Sequence, residues 1–197
     1  MSETRPRILF MGTPEFAVPS LELLVEKAWP IIGVVTQPDR PKGRGQRLVA
    51  SPVKEAAGRH GLAVLQPEKV RAPAFLEIFS ALAPDMVVLV AFGQILPKEM
   101  IDGPPLGCVN VHPSLLPRYR GAAPMNWALI RGEEKTGITI MRMDEGVDSG
   151  DILLQEETPI EPGETYDHLH DRLAVLGAQC LLRTIEGLAA GTVRPVP

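Results

Sequence analysis

Two polar side chains interrupt an apolar pattern in the stretch CVNVHPSLLPRYRGAAP (108–124). Asn110 and His112 flank Val111 and follow Val109, so the run reads as a β-strand that Pro113 ends. Strand side chains alternate, so the amide and the imidazole project from one face, about two rises or roughly 6.6 Å apart. They sit at the strand's carboxyl end, where open α/β sheets bind ligands. An amide N–H is a good donor to a developing oxyanion, and an imidazole can donate or move a proton. Spacing alone equally permits two hydrogen-bonded polar residues at a strand edge.

The stretch MDEGVDSGD (143–151) offers the acid that an imidazole needs. A carboxylate bonded to an imidazole fixes its tautomer and favours its charged form. Asp144, Asp148 and Asp151 are all candidates. Ordinary turn chemistry is the competing account, because loop aspartates commonly bond their own backbone. Calcium fits poorly, since the spacing misses the DxDxDG ligand order.

A third group lies in TQPDRPKGRGQRL (36–48), which carries Arg40, Lys42, Arg44 and Arg47. Pro38 and Pro41 favour an extended path, and Gly43 and Gly45 keep it flexible. Such a cluster suits phosphate contacts, although a solvated loop would carry the same residues. Other familiar sites are missing. GTPEF after the first strand is not GxGxxG, KGRGQ is not a Walker A loop, and no GxSxG places Ser114 on a nucleophile elbow. Cys108 reads as a packed core cysteine. His60, His168 and His170 read as surface or packing residues, with no HExxH pattern to recruit a metal.

The elements that must hold these groups alternate between strand and helix. ILFMG (8–12), IIGVV (31–35), MVVLVAF (86–92), CVNV (108–111) and GITIMRM (137–143) read as strands. The first three are continuous apolar runs, as in parallel sheets covered on both faces. Helices are expected over Pro14 to Lys27, over Pro52 to His60 behind a Ser51 cap, and over Pro73 to Leu82. A long closing helix is expected over Thr165 to Ala190, with Gly177 a candidate break. ILLQEETPI after Asp151 reads as one more extended segment. This order predicts an α/β fold with right-handed crossovers.

Composition limits the setting. The 197 residues are 45% hydrophobic and 22% charged, with a net charge of −4, so any nucleic-acid contact must come from a local patch. Two cysteines without a CxxC pair argue against a disulfide framework or a thiolate zinc site and suit a reducing cytosol. The start lacks a signal-peptide core, and the most apolar run falls far short of the roughly 20 residues that span a bilayer.

The run N-x-H-x-S-L-L-P-x-x-R-G (110–121), followed by MDEGVDSGD, resembles the folate-dependent formyltransferases. The resemblance extends through ILFMGTPEF, QPDRPKGRG, SPVK, AFGQILP, GAAP and TGITIMRM, over essentially the whole chain. It implies an open, mostly parallel twisted sheet with helices on both faces, a Rossmann-like arrangement, with 1–197 forming the catalytic domain. It implies catalytic roles for Asn110, His112 and Asp148, and 10-formyltetrahydrofolate as formyl donor. The donor's slot would involve Leu89, Gly93, Ser114, Leu115, Leu116, Pro117 and Asp144. No metal or covalent intermediate is needed.

The loop at 36–48 and the following SPVK (51–54) look like those of family members that formylate initiator methionyl-tRNA. Members acting on glycinamide ribonucleotide or amino sugars share the Asn/His/Asp set but typically lack this loop. The resemblance therefore implies tRNA contacts at Arg40, Lys42, Arg44 and Arg47, and the protein is expected to be a cytoplasmic monomer. It also implies that a C-terminal β-barrel domain, which helps hold tRNA, would begin where this chain stops. A hydrolase releasing formate, or transfer to a small amine such as an amino sugar, is the alternative, and either leaves the basic loop unexplained; a non-catalytic tRNA-binding module would leave the acid, imidazole and amide without a purpose.

Overall fold

The structure, a computed structural model, describes residues 5–42 and 47–197, without the side chains of Lys42 and Arg47. Two compact units divide the chain, Met1–Cys108 and Val109–Pro197.

The first unit alternates strands and helices as the apolar pattern predicts. Its elements are β1 (Ile8–Gly12), α1 (Val18–Glu26), β2 (Ile31–Val35), β3 (Arg40–Lys42), β4 (Arg47–Val49), α2 (Pro52–Arg59), β5 (Val64–Leu65), α3 (Pro73–Leu82), β6 (Met86–Val90) and α4 (Lys98–Asp102). Four strands lie parallel in the order β5-β2-β1-β6. β1 and β6 are buried along their whole length, which is why they carry no polar side chain. β1, β2 and α3 have the bounds expected from sequence. β6 stops at Val90, two residues early, because Ala91 turns left-handed with φ 47°. The helix expected from Pro14 opens instead as a short 3-10 turn, Glu15–Ala17, before α1. Gly12 has a steric cause, since a Cβ there would lie 2.8 Å from the Ala17 Cβ and 3.0 Å from the Val90 carbonyl oxygen.

The described part of segment 37–50 is ordered as an antiparallel hairpin stem rather than an open loop. Arg40 pairs with Val49 and Lys42 with Arg47. Its base is pinned through one carboxylate. Lys54 Nζ lies 2.6 Å from Asp39 Oδ2, and Gln66 Nε2 donates to Asp39 Oδ1 at 2.7 Å. These contacts, the Lys54 hydrogen bond foremost, hold the Asp39 carboxyl below its usual range. Ser51 caps α2 by accepting from the Lys54 N–H at 3.0 Å, as expected. The PDR and SPVK motifs are thus one structural device, in which the capped helix presents the lysine that anchors the hairpin.

The second unit begins inside β7 (Cys108–His112) and continues with α5 (Pro124–Ile130), β8 (Lys135–Arg142), β9 (Ile152–Pro159) and α6 (Tyr166–Ala189). β7, β8 and β9 are antiparallel neighbours. α6 runs 24 residues without a break at Gly177. The glycine is there for closeness. A Cβ at 177 would stand 3.0 Å from Val111 Cγ1 and 3.5 Å from Ile138 Cδ1, so the helix packs directly onto β7 and β8. Thr165 caps α6, and Arg172 ties its first turns to the end of β9. The guanidinium donates to Glu164, to the Thr158 hydroxyl and to the Pro159 carbonyl.

Candidate functional site

β7 places Asn110 and His112 on one face, opposite Met141 and Thr139 of β8. Both side chains are nearly covered, at 8% and 5% exposure. His112 is fixed from two sides. Its Nε2 lies 2.9 Å from the Tyr119 carbonyl oxygen, and its Nδ1 lies 3.5 Å from Asp148 Oδ2. A carbonyl only accepts, so Nε2 carries a proton. Nδ1 faces a carboxylate, so both ring nitrogens are directed at acceptors.

Of the three aspartates that the sequence offers, Asp148 is the one beside His112. Its Oδ2 also accepts the Gly121 N–H at 2.7 Å, and its backbone is left-handed with φ 47°. Asp144 has a different task. Its carboxylate accepts from the Gly146 N–H at 3.0 Å and from the Ser149 hydroxyl at 2.9 Å, so it builds the turn that delivers Asp148. Turn chemistry and imidazole pairing were rival accounts of this segment, and each holds for a different aspartate.

The segment after β7 is held by a network that the sequence did not flag. Thr139 Oγ1 donates to the Ser114 carbonyl at 2.7 Å and accepts from the Leu116 N–H at 3.1 Å and from Gln155 Nε2 at 2.8 Å. Gln155 also reaches the Leu116 carbonyl. Ser114, buried, gives its hydroxyl to the Arg118 carbonyl. Among the other expected donor-slot residues, Leu116 is buried, Leu115 half-buried and Pro117 exposed. The visible clue to Thr139 was a polar residue on the covered face of an apolar strand.

In the first unit, Leu89 is buried in β6, and Gly93 follows it with φ 86°. Gly93 lines a cavity of about 550 Å³ with Gln37, Arg40, Lys69, Arg71 and Gln94, at the carboxyl ends of β2 and β6. Lys69 and Arg71 were not singled out in the sequence. Gln94 shapes this cavity's wall by accepting the Val70 N–H at 2.9 Å. Arg40 is exposed at the hairpin stem; Arg44 lies outside the described residues, as do the side chains of Lys42 and Arg47. Cys108 is fully buried, and burial pushes its thiol far above the usual range, so it is a core residue. Among the described residues, no group of three or more His, Cys, Asp or Glu is arranged to hold a metal ion.

A paired imidazole and carboxylate beside a strand-borne amide, on an α/β scaffold, is a set suited to acyl-type transfer to an amine. The formyl transferase family model matches residues 6–185, and the chain belongs to that family. It is 67% identical over 183 residues to the methionyl-tRNA formyltransferase of Syntrophus aciditrophicus (strain SB), covering 93% of this chain and 59% of that protein. It is 58% identical over 190 residues to the one of Pelobacter propionicus, covering 96% and 60%. The chain thus spans about 60% of the length of these relatives. Among solved structures, glycinamide ribonucleotide transformylase 1 from Symbiobacterium toebii superposes with a TM-score of 0.82 at 22% identity, over 100% of this chain and 96% of that one. The sugar 3N-formyl transferase WlaRD, in the presence of dTDP and 5-N-formyl-THF, gives 0.69 at 18% identity, over 98% and 66%. These likenesses establish the Rossmann-like formyltransferase fold. Among the described residues, no helix is long and apolar enough to cross a membrane.

Proposed function

We propose that this chain transfers a formyl group from 10-formyltetrahydrofolate to the α-amine of methionine on initiator tRNA. The observation that carries the chemistry is the His112–Asp148 pair at the end of β7, two residues beyond Asn110. Attack of the amine on the formyl carbon forms a C–N bond and puts negative charge on the formyl oxygen. The Asn110 amide donates to that oxygen, and the His112 cation stabilises it electrostatically. Asp148 keeps His112 charged and oriented. In the geometry described, both imidazole nitrogens are engaged, so His112 acts first as a fixed charge. A proton transfer through it requires one of its two contacts to open. The amine's proton leaves for the folate nitrogen as the old C–N bond breaks, with Asp148 and water as its route.

The donor's pterin is held by Leu89, Gly93, Ser114, Leu115, Leu116, Pro117 and Asp144. The tRNA is held through its phosphates by Arg40, Lys42, Arg44 and Arg47. The chain acts as a cytoplasmic monomer. The choice of tRNA over a small amine is supported by the names of relatives at 58–67% identity and by the anchored basic hairpin.

The test is incubation with 10-formyltetrahydrofolate, with and without methionyl-tRNA, following tetrahydrofolate and N-formylmethionine. Transfer should require methionyl-tRNA, and Arg40→Ala should flatten the salt dependence of tRNA binding by about one phosphate contact. Release of formate at the same rate without any amine would replace the proposal with a hydrolase.

A further inference from the structure

A second cleft lies beside the catalytic pair, and no step of the mechanism above uses it. Arg118, Tyr119 and Arg120, from the segment after β7, line it with Trp127 and Arg131 of α5 and its C-terminus, enclosing about 400 Å³. The Arg131 guanidinium stands 5.5 Å from the Tyr119 ring centroid and 5.9 Å from that of Trp127, and Arg118 stands 5.4 Å from Tyr119. One carboxylate opposes these cations. Glu133 accepts hydrogen bonds from the Tyr119 hydroxyl and from Arg118. Trp127 is 48% exposed, an uncommon state for so large an apolar ring on a protein of net charge −4.

Three guanidinium groups against one carboxylate favour an anion, and the planar fork of arginine matches phosphate oxygens in pairs. An isolated phosphate would leave the Trp127 face unused. Duplex RNA presents mainly phosphates and 2′-hydroxyls, with its bases stacked inside, and would leave it unused as well. A single strand presents phosphates and free base faces together, which is what arginines interleaved with aromatic rings bind. Position adds to this. The Tyr119 carbonyl accepts from His112 and the Gly121 N–H donates to Asp148, so Tyr119 and Gly121 hold the catalytic pair by their backbone. The side chains of Arg118, Tyr119 and Arg120, in the same segment, line the cleft.

We infer that this cleft receives the unpaired 3′ nucleotides of the acceptor RNA. Arg118, Arg120 and Arg131 take phosphate, and Trp127 stacks on a base. The inference rests on the proposed function and adds to it a positioning surface separate from the basic hairpin.

The test compares intact methionyl-tRNA with a tRNA trimmed of its unpaired 3′ nucleotides, using the whole chain. Trp127→Ala should weaken binding of intact tRNA by about five- to 150-fold, the usual range for one lost base stack, with the salt slope kept. Its affinity for trimmed tRNA should equal that of the wild type, and Trp127→Phe should restore most of the loss. Arg131→Ala should lower the salt slope by about 0.7, one single-strand phosphate contact. Trp127 and Arg131 are both exposed, so these variants should fold. If Trp127→Ala weakens intact and trimmed tRNA equally, or neither, while the wild type still formylates methionyl-tRNA, the cleft assignment fails alone. If the wild type transfers no formyl group to methionyl-tRNA, the proposed function fails and the cleft assignment falls with it.

Discussion

Asp148→Asn tests the proposed mechanism most directly, because it removes a charge and little else. Asp148 has φ 47°, a left-handed conformation that asparagine tolerates as well as aspartate does, whereas alanine would add strain. The asparagine carbonyl can keep the Gly121 N–H, now bonded at 2.7 Å. What changes is the partner of His112 Nδ1. An amide N–H₂ there favours a bare Nδ1, so the imidazole loses its second proton while Nε2–H stays on the Tyr119 carbonyl. The oxyanion then faces a neutral ring. At about 4 Å and an effective dielectric near 20, one charge pair is worth about 4 kcal/mol, or about a thousandfold in rate. Asp148 is 14% exposed, and solvent takes part of that value. A fall in kcat of about 10²–10³ follows, in the range found for loss of one oxyanion-stabilising group. Single-turnover formyl transfer measures it, with the melting temperature and the KM for folate expected to stay near wild type. A variant that keeps more than about a tenth of wild-type kcat would refute the claim that Asp148 sustains a charged His112.

Three further outcomes test the scaffold. Thr139→Val keeps the shape of the side chain but takes the Thr139 hydroxyl from the Leu116 N–H and the Ser114 carbonyl, so it should cost about 1–3 kcal/mol in denaturant unfolding; no change would mean that the network is not structural. Gly177→Val drives a branched side chain against Val111, which sits between Asn110 and His112, so it should cost about 1–3 kcal/mol of stability and lower turnover as well, and stable protein of normal kcat would contradict the contact. Glu164 is held below the usual carboxyl range of about 4.3, first by its hydrogen bond to Arg172. That stability is complete above the unfolded value and drains away as pH falls through the folded one. Glu164→Gln should therefore be less stable than wild type at pH 7 by urea midpoint, with the gap narrowing as pH is lowered below the unfolded value. A gap that does not narrow would locate the stabilisation elsewhere.

The parts legible in the sequence are those where one physical demand dominates. β1 and β2 sit in the sheet of the first unit, so burial dictates their apolar runs and makes their edges readable, whereas the apolar run of β6 continues past its end at the left-handed Ala91. α4 and α5 were missed because five and seven residues give too few turns for a helical period to show. α5 further disguises itself by exposing Trp127 and Ile130. The hairpin at 40–49 was hidden by strands of three residues with a proline in one of them, held by a lysine fourteen positions beyond Arg40. Gly177 was misjudged for a different reason. A helical glycine reads as a weak point, and only the closeness of Val111 reveals it as a packing requirement.

The candidate site divides along the same line. Asn110 and His112 were visible because polar side chains on a covered strand face need a reason to be there. Asp148 was one of three equivalent carboxylates, and spacing cannot rank them. What ranks them is main-chain chemistry, since the Gly121 N–H orients Asp148 and the Tyr119 carbonyl orients His112. Every residue owns such groups, so no side-chain pattern announces which two will be used. The nearest trace is Gly121, whose φ of 82° suits glycine and lets the segment carry Tyr119 past His112 and turn back to Asp148. Replacing Tyr119 with phenylalanine would leave that backbone contact intact, and replacing Gly121 with a β-branched residue would not. The residues that set the geometry of the pair are therefore chosen for their backbone, and the residues that perform the chemistry are chosen for their side chains.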